Sequence, residues 1–128
     1  MKHFTLKELT VTDTGMPNRP GTEEEKNLIN LVDRLLDPVR EQWGRPIRVN
    51  SGYRSISVNL AVGGATTSQH LRGEAADITA GSKENNQKLF KIIAEGHVFD
   101  QLIDESEYTW IHVSIKRNGV NRKQILHL

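Results

Sequence analysis

The chain has no cysteine, no long apolar run and almost no net charge, and each of these absences removes a class of protein. Without cysteine there can be no disulfide and no thiolate metal site, so a metal ion would need histidine and carboxylate ligands. No window approaches the roughly 20 apolar residues of a membrane span, so none is predicted. The formal net charge of +1, with no basic patch, argues against a nucleic-acid partner.

The first residues, MKHFTLKELTVTD, carry charged side chains every few positions and do not resemble a secretory signal. We therefore expect synthesis in the cytoplasm without a signal peptide, so that any action outside the membrane requires another route of release. The length of 128 residues is that of one ordinary globular domain, predicted to span residues 1–128.

Helical signals dominate the first part of the chain. Thr5 and Glu8 have the spacing of a capping box that opens a short helix. A longer helix is predicted from residue 22 to Gly44, and Pro38 inside it is expected to kink the helix. Its apolar residues recur at steps of three and four and predict one buried stripe, formed by Leu28, Val32, Leu35, Val39 and Trp43.

Strand signals dominate the second part. Strands are predicted at residues 47–49, 75–79, 98–104 and 110–116, with a helix that begins at Ser82. Asn118-Gly119 is typical of a hairpin turn, which predicts that residues 122–128 return antiparallel to the preceding strand. Helices first and strands later, without regular alternation, predict the α+β class: an antiparallel sheet with helices packed on one side.

The stretch SQHLRGEAADI holds the first candidate metal ligands, His70 and Asp77. They lie seven residues apart, too far to be neighbours on one helix face, and the glycine and alanines predict a loop that runs into a strand. In WIHVS, strand alternation puts His112 on the face opposite the apolar residues, where a site can open. The spacing alone also fits a structural histidine and a turn aspartate, so it leaves the metal site as one of two interpretations.

Three motifs, SGYRS, SQHLRGEAADI and WIHVS, occur in the order found in a known family. Together they resemble the zinc D-Ala-D-Ala carboxypeptidases and related endopeptidases of peptidase family M15, which cut peptidoglycan peptides. The central signature resembles S-x-H-x-x-G-x-A-x-D, matched here by Ser68, His70, Gly73, Ala75 and Asp77. The resemblance implies the hedgehog/DD-peptidase-like α+β fold and peptidoglycan peptides as the substrate.

The resemblance further implies that His70, Asp77 and His112 bind Zn²⁺ as the cofactor. Two neutral imidazoles and one carboxylate leave the ion a net positive charge, which lowers the pKa of bound water towards about 7. Other divalent ions also accept this donor set.

A peptidase of this kind needs a general base, and three carboxylates lie shortly before the third candidate ligand, His112: Asp104, Glu105 and Glu107. Strand alternation separates Glu105 from Asp104, and the pattern FDQLIDE, set beside related zinc domains, favours Glu105 as the catalytic base. In some related domains the base lies three residues before the histidine, which here is Thr109, a residue that cannot take a proton.

The remaining candidates are implied by the resemblance. Arg54 in SGYRS is expected to hold the substrate and to stabilise the oxyanion. Ser68 is expected to hydrogen-bond the substrate, and Tyr53 to line the cleft. Three hypotheses follow: a zinc metallopeptidase, a zinc-binding module of the same fold without turnover, or a phage or prophage lysis component.

Overall fold

The structure, a computed structural model, describes all 128 residues and has the α+β class that the sequence predicts. The helices are α1 (Leu6–Leu9), α2 (Thr22–Leu31), α3 (Asp37–Trp43), α4 (Ile56–Ala61) and α5 (Lys83–Gly96). The strands are β1 (Arg48–Ser51), β2 (Ala75–Thr79), β3 (Gln101–Glu105), β4 (Trp110–Ser114) and β5 (Gln124–His127). A π-helical turn, Val32–Leu36, joins α2 to α3, and a 3₁₀ turn, Gln69–Arg72, precedes β2. None of the helices has the length and apolar character needed to cross a bilayer.

Local sequence signals account for the helix ends. The capping box is confirmed, since the Thr5 hydroxyl accepts from the Glu8 amide and the Glu8 carboxylate accepts from the Thr5 amide. Gly44 ends α3 in the left-handed conformation with φ 74°. The π-helical turn ends at Leu36, two residues before Pro38. A proline lacks an N–H and crowds the preceding turn, which accounts for an irregularity at this place.

The sheet has the order β1-β2-β4-β3-β5, and every neighbouring pair is antiparallel except β3 with β5. The prediction that residues 122–128 return antiparallel after the Asn118-Gly119 turn is therefore wrong. Because β4 is hydrogen-bonded to β2 on one side and β3 on the other, it has no free edge for a returning strand. The chain instead crosses to the outer edge of β3 and pairs there in parallel.

One hydrophobic cluster of 21 buried residues joins the helices to one face of the sheet. The sheet contributes side chains that alternate along the central strands, namely Ala76, Ile78, Leu102, Ile111 and Val113. The helices contribute Leu28, Leu31, Leu35, Val39, Leu89 and Ile93. This arrangement confirms helices on one side, and alternation leaves the opposite face of β2 and β4 to polar side chains.

A fully buried carboxylate, Asp100, fixes where the last strand lies. Arg122 donates to it from the backbone amide at 2.9 Å, from Nε at 3.1 Å and from Nη2 at 2.8 Å, and Lys116 Nζ lies 3.7 Å away. The Gln124 amide donates to the Asp100 carbonyl at 2.9 Å, which starts the parallel pairing. The charge pair therefore holds β5 in register with β3.

Gly73 allows the 3₁₀ turn to lie directly against α2. Its φ is +73°, and a Cβ atom built on it would lie 2.5 Å from the carbonyl oxygen of Glu24. The side-chain NH₂ group of Asn27, one turn further along α2, donates to the Arg72 carbonyl at 2.8 Å. Glycine is required here for both conformation and space.

We expect Gly73→Ala to be much more destabilising than Gly63→Ala, a matched control with φ +71° and open space around a new Cβ. Both substitutions incur the left-handed penalty of about 1–2 kcal/mol. Only Gly73→Ala adds the clash with α2, on the order of 1–3 kcal/mol further. Urea unfolding of both variants measures the difference, and equal losses would contradict the close packing of the 3₁₀ turn on α2.

The Asp100–Arg122 pair should also contribute to acid stability. The hydrogen bonds from Arg122 are the main cause that holds the pKa of Asp100 at about 2, below its usual 3.8. Since the folded pKa is depressed, this contribution is complete above about pH 4 and is lost as the pH falls towards about 2. Arg122→Met should therefore lower the free energy of unfolding most above pH 4, and its difference from wild type should shrink towards pH 2.

Urea unfolding of the metal-free protein across this pH range, in EDTA, measures the effect. Arg117→Met is the matched control, because Arg117 lies in the same loop but pairs with Glu23 and Asn27. A difference between Arg122→Met and wild type that stays constant from pH 6 to pH 2 would show that Asp100 is not the group responsible.

Candidate metal centre

The register of two strands and one turn brings together three candidate ligands. Asp77 of β2 lies directly opposite His112 of β4 in an antiparallel pair, so both side chains project from the same face of the sheet. His70 comes from the 3₁₀ turn Gln69–Arg72. One ligand atom from each of the three residues lies within 4.8 Å of the others.

The hydrogen bond of His70 identifies which of its nitrogens faces the centre. Nδ1 lies 2.7 Å from the carbonyl oxygen of Gly52, which can only accept, so Nδ1 carries the proton. In the neutral ring the lone pair is then on Nε2, which lies 3.3 Å from Asp77 Oδ1. Such a bond to a backbone carbonyl is the usual way in which a metal-binding histidine is held.

His112 faces the same carboxylate with Nδ1, whereas His70 faces it with Nε2. Its Nδ1 lies 3.1 Å from Asp77 Oδ1, and its Nε2 lies 3.1 Å from Oε1 of Gln69. Both imidazoles therefore converge on one oxygen of Asp77. Their side chains are almost wholly buried, as is that of Asp77.

The electrostatics keep Asp77 ionised. Burial alone would raise the pKa of its carboxyl, but in the metal-free protein the imidazoles of His112 and His70 donate to Oδ1 when they are protonated on the facing nitrogens. These hydrogen bonds outweigh burial and hold the pKa well below its usual range. The second oxygen, Oδ2, lies 3.3 Å from Nη2 of Arg54. The carboxylate is therefore anionic at any pH near neutrality and available as a ligand.

The three residues fit zinc in chemistry, and the two spacings that involve Asp77 fit it as well. Two imidazoles and a carboxylate form a donor set of catalytic zinc sites, which use three protein ligands and leave a fourth position open. A tetrahedral zinc ion with bonds of about 2.0–2.1 Å holds its ligand atoms about 3.3 Å apart. The distances from Asp77 Oδ1 to His70 Nε2 and to His112 Nδ1, 3.3 Å and 3.1 Å, agree with that edge.

Arg54 lies at the side of this centre and is held by three contacts. Nε donates to Ser51 Oγ at 3.1 Å, Nη1 to Asn59 Oδ1 at 3.5 Å and Nη2 to Asp77. Its backbone amide donates to the carbonyl of His70 at 3.0 Å. The guanidinium is thus fixed beside the candidate ligands and is partly accessible from the cleft.

Of the three candidate carboxylates, only Glu105 lines the cleft with the histidines. It ends β3 on the same face as Ile103, the residue opposite His112, and its Oε2 accepts from Trp110 Nε1 at 3.1 Å. Asp104 projects to the other face, where it contacts His127. Glu107 is exposed in the left-handed turn after β3. The alternation predicted from the sequence therefore separates Glu105 from its neighbours in the structure.

Ser68 and Tyr53, the two residues expected to contact the substrate, lie in different environments. Ser68 lines a cleft of about 350 Å³ together with Arg54, Glu105 and the three candidate ligands. Its hydroxyl also accepts from the His70 amide at 3.2 Å. Tyr53 is outside this cleft and is buried in the hydrophobic cluster. The preceding residue, Gly52, lies against the Leu9 carbonyl, and a Cβ atom built on it would come within 2.3 Å of that oxygen. The Tyr53 amide donates to the same carbonyl at 2.7 Å.

Gln69 is the residue near the centre that the sequence analysis did not identify. It is buried, contacts His112 with its amide oxygen and donates from Nε2 to Asp100 Oδ2 at 2.8 Å. Its position next to His70 in SQH was the available signal, but its partner His112 lies 43 residues away. Contacts at that separation depend on the strand pairing, which the local pattern does not give.

Comparisons with known proteins agree with this geometry. The model of a family described as Peptidase M15 matches residues 2–114. The zinc D-Ala-D-Ala carboxypeptidase of Streptomyces albus G is 49% identical over 49 residues, which cover 38% of this chain and 19% of that protein. The match thus spans about a fifth of the length of that relative.

We expect the protein to bind one zinc ion per chain and to be stabilised by it, because zinc bound only to the folded state adds to the free energy of unfolding. His70→Ala should lose this binding, whereas His97→Ala, which removes a histidine on the far side of the molecule hydrogen-bonded to Gln42, should retain it. Metal analysis after dialysis and thermal unfolding with and without zinc measure both effects. Equal zinc content in His70→Ala and wild type would contradict the site.

Proposed function

The chain belongs to the peptidase M15 family, and on this premise we propose that it is a zinc peptidase that hydrolyses an amide bond in the stem or cross-link peptides of peptidoglycan. The observation that carries the proposal is the convergence of His70, Asp77 and His112 at distances that suit zinc. The name of the Streptomyces relative, a zinc D-Ala-D-Ala carboxypeptidase, supports an amide next to a D-residue as the target.

The proposed site divides the reaction among a metal and several side chains. Zinc held by His70, Asp77 and His112 would supply a Lewis acid that polarises the substrate carbonyl and acidifies water at neutral pH. The side chains around it then have to orient the substrate, move one proton and balance the negative charge that develops on the carbonyl oxygen.

Glu105 is proposed to move the proton. Trp110 Nε1 donates to Oε2, which fixes the carboxylate at the cleft and leaves Oε1 free to accept the proton of the attacking water. The same carboxyl then donates this proton to the amine that leaves when the C–N bond breaks. A positioned base of this kind contributes typically about 10²–10⁴-fold to a rate.

Arg54 is proposed to stabilise the charge on the oxyanion. Its guanidinium has five N–H donors, of which three make the contacts to Ser51, Asn59 and Asp77. Donors remain for a substrate oxygen, and the buried contacts hold the cation in place before the substrate arrives. A fixed cation costs no reorganisation as the negative charge develops. Ser68, at the other side of the cleft, is proposed to hydrogen-bond the substrate.

The position of Glu105 favours an enzyme over the alternative of a zinc-binding module without turnover. Such a module needs no base, and a Glu105 side chain remote from the metal ligands would have supported it. In the structure Glu105 lines the same cleft as all three candidate ligands. Access to the cell wall through release by another system, as for a phage or prophage lysin, is part of the same proposal.

The test is mass spectrometry of purified peptidoglycan fragments incubated with the zinc-loaded protein. We expect new fragments whose masses identify the bond and separate carboxypeptidase from endopeptidase action. Glu105→Gln should lower kcat by about 10²–10⁴-fold with little change in zinc content, because it removes the base but keeps the shape of the side chain.

Glu107→Gln is the matched control for this substitution. It removes the same charge two residues away from an exposed side chain outside the cleft, so its kcat should remain that of wild type. Full activity of Glu105→Gln would assign the base to another group. A wild-type protein that holds one zinc ion per chain and releases no fragments from peptidoglycan would overturn the peptidase proposal.

A further inference from the structure

Gln69 lies between a candidate zinc ligand and a carboxylate that belongs to the structural framework. Its Oε1 is 3.1 Å from His112 Nε2, and its Nε2 is 2.8 Å from Asp100 Oδ2. All three side chains are buried, Asp100 completely. Neither the family motif nor the proposed mechanism uses this contact.

The orientation of the Gln69 amide follows from its partners. An ionised carboxylate can only accept, so the NH₂ group of Gln69 has to face Asp100 and its oxygen has to face His112. Asp100 is itself held by three hydrogen bonds from Arg122 and by the charge of Lys116. The amide therefore cannot turn over without the loss of a charge-assisted hydrogen bond.

The oxygen of Gln69 in turn determines what His112 can offer. An amide oxygen accepts a hydrogen bond, so the ring nitrogen that faces it, Nε2, has to carry a proton. In the neutral ring, the form that binds a metal, the lone pair of His112 is then on Nδ1, the nitrogen directed at Asp77. Only the nitrogen with the lone pair can bind a metal.

From this chain of contacts we infer that Gln69 is a positioning residue that makes Nδ1 the metal-binding atom of His112, and that Asp100 and Arg122 hold Gln69 in the orientation required. The inference rests on the proposed zinc site. It extends that site to residues near the C-terminus, since Arg122 acts on the metal centre through two intervening side chains without touching it.

The first measurement is the zinc affinity of Gln69→Leu, determined by competition with a chelator. Leucine has a similar size but cannot accept a hydrogen bond from Nε2. We therefore expect zinc affinity to be about 10–100-fold weaker, the loss usual when a hydrogen-bond partner of a metal ligand is removed. Gln101→Leu is the matched control. It makes the same change in the same cleft, but Gln101 bonds to Gln124 and not to a candidate ligand, so zinc affinity should remain that of wild type.

The second measurement exchanges the donor and the acceptor. In Gln69→Glu combined with Asp100→Asn, the glutamate still accepts from His112 Nε2, and the new asparagine donates to the glutamate. Arg122→Met is added, because Arg122 Nη2 donates to the same oxygen of Asp100 as Gln69 does and would face the new NH₂ group. Compared with Gln69→Leu in the same Arg122→Met background, this triple variant should recover most of the zinc affinity that the leucine substitution loses. A loss that it does not recover would show that packing, rather than the hydrogen bond, positions His112, and the inference would be overturned.

The third measurement uses the wild-type protein and does not depend on any variant being folded. NMR of protein loaded with isotopically labelled cadmium identifies the bound nitrogen through its coupling to the metal. We expect Nδ1 of His112 and Nε2 of His70, with a proton on Nε2 of His112. Coupling to Nε2 of His112 would overturn the inference.

These readouts separate the inference from the peptidase proposal. Binding through Nδ1 with no release of peptidoglycan fragments would remove the proposed function and leave the role of Gln69 intact. Fragment release with unchanged zinc affinity in Gln69→Leu would do the reverse.

Discussion

The antiparallel register of β2 and β4 is the constraint on which the rest of the site depends. It sets Asp77 opposite His112, and because successive side chains point to opposite faces, a slip of one residue would turn one of them into the hydrophobic core. The same register sends Ala76, Ile78 and Val113 towards the helices. A single pairing thus selects both the buried core and the polar centre, so the energy that holds the fold also holds the geometry of the candidate ligands.

Around this pair, each polar group of the centre has a second partner that belongs to the framework. The Gly52 carbonyl orients His70, and the carboxylate of Asp77 is shared with Arg54. Burial of a polar group costs free energy unless its hydrogen bonds are satisfied. These second partners therefore explain why the polar side chains of the centre can be buried. The arrangement favours a centre that is already formed before a metal ion or a peptide arrives.

How much of this could be predicted depends on how local the signal was. The capping box at Thr5 and the end of α3 at Gly44 follow from residues a few positions apart, and both are confirmed. Alternation within single strands also put His112 and Glu105 on the face where the structure has them. The partner of β5 could not be predicted, because a hairpin turn signal says nothing about whether the neighbouring edge is already occupied. Gln69 was missed for a related reason, since its contacts are made across the sheet.

The charge cluster formed by Asp100, Lys116 and Arg122 determines the shortest segment of this chain that can be transferred intact into a chimeric protein. The family match ends at residue 114, before Lys116 and Arg122. A chimera cut at that boundary would keep every motif but would leave a wholly buried carboxylate without either of its cations. Uncompensated charge of that kind typically costs several kcal/mol. Grafting or recombination of this domain should therefore carry the chain through β5, even though the last strand contributes no residue to the cleft.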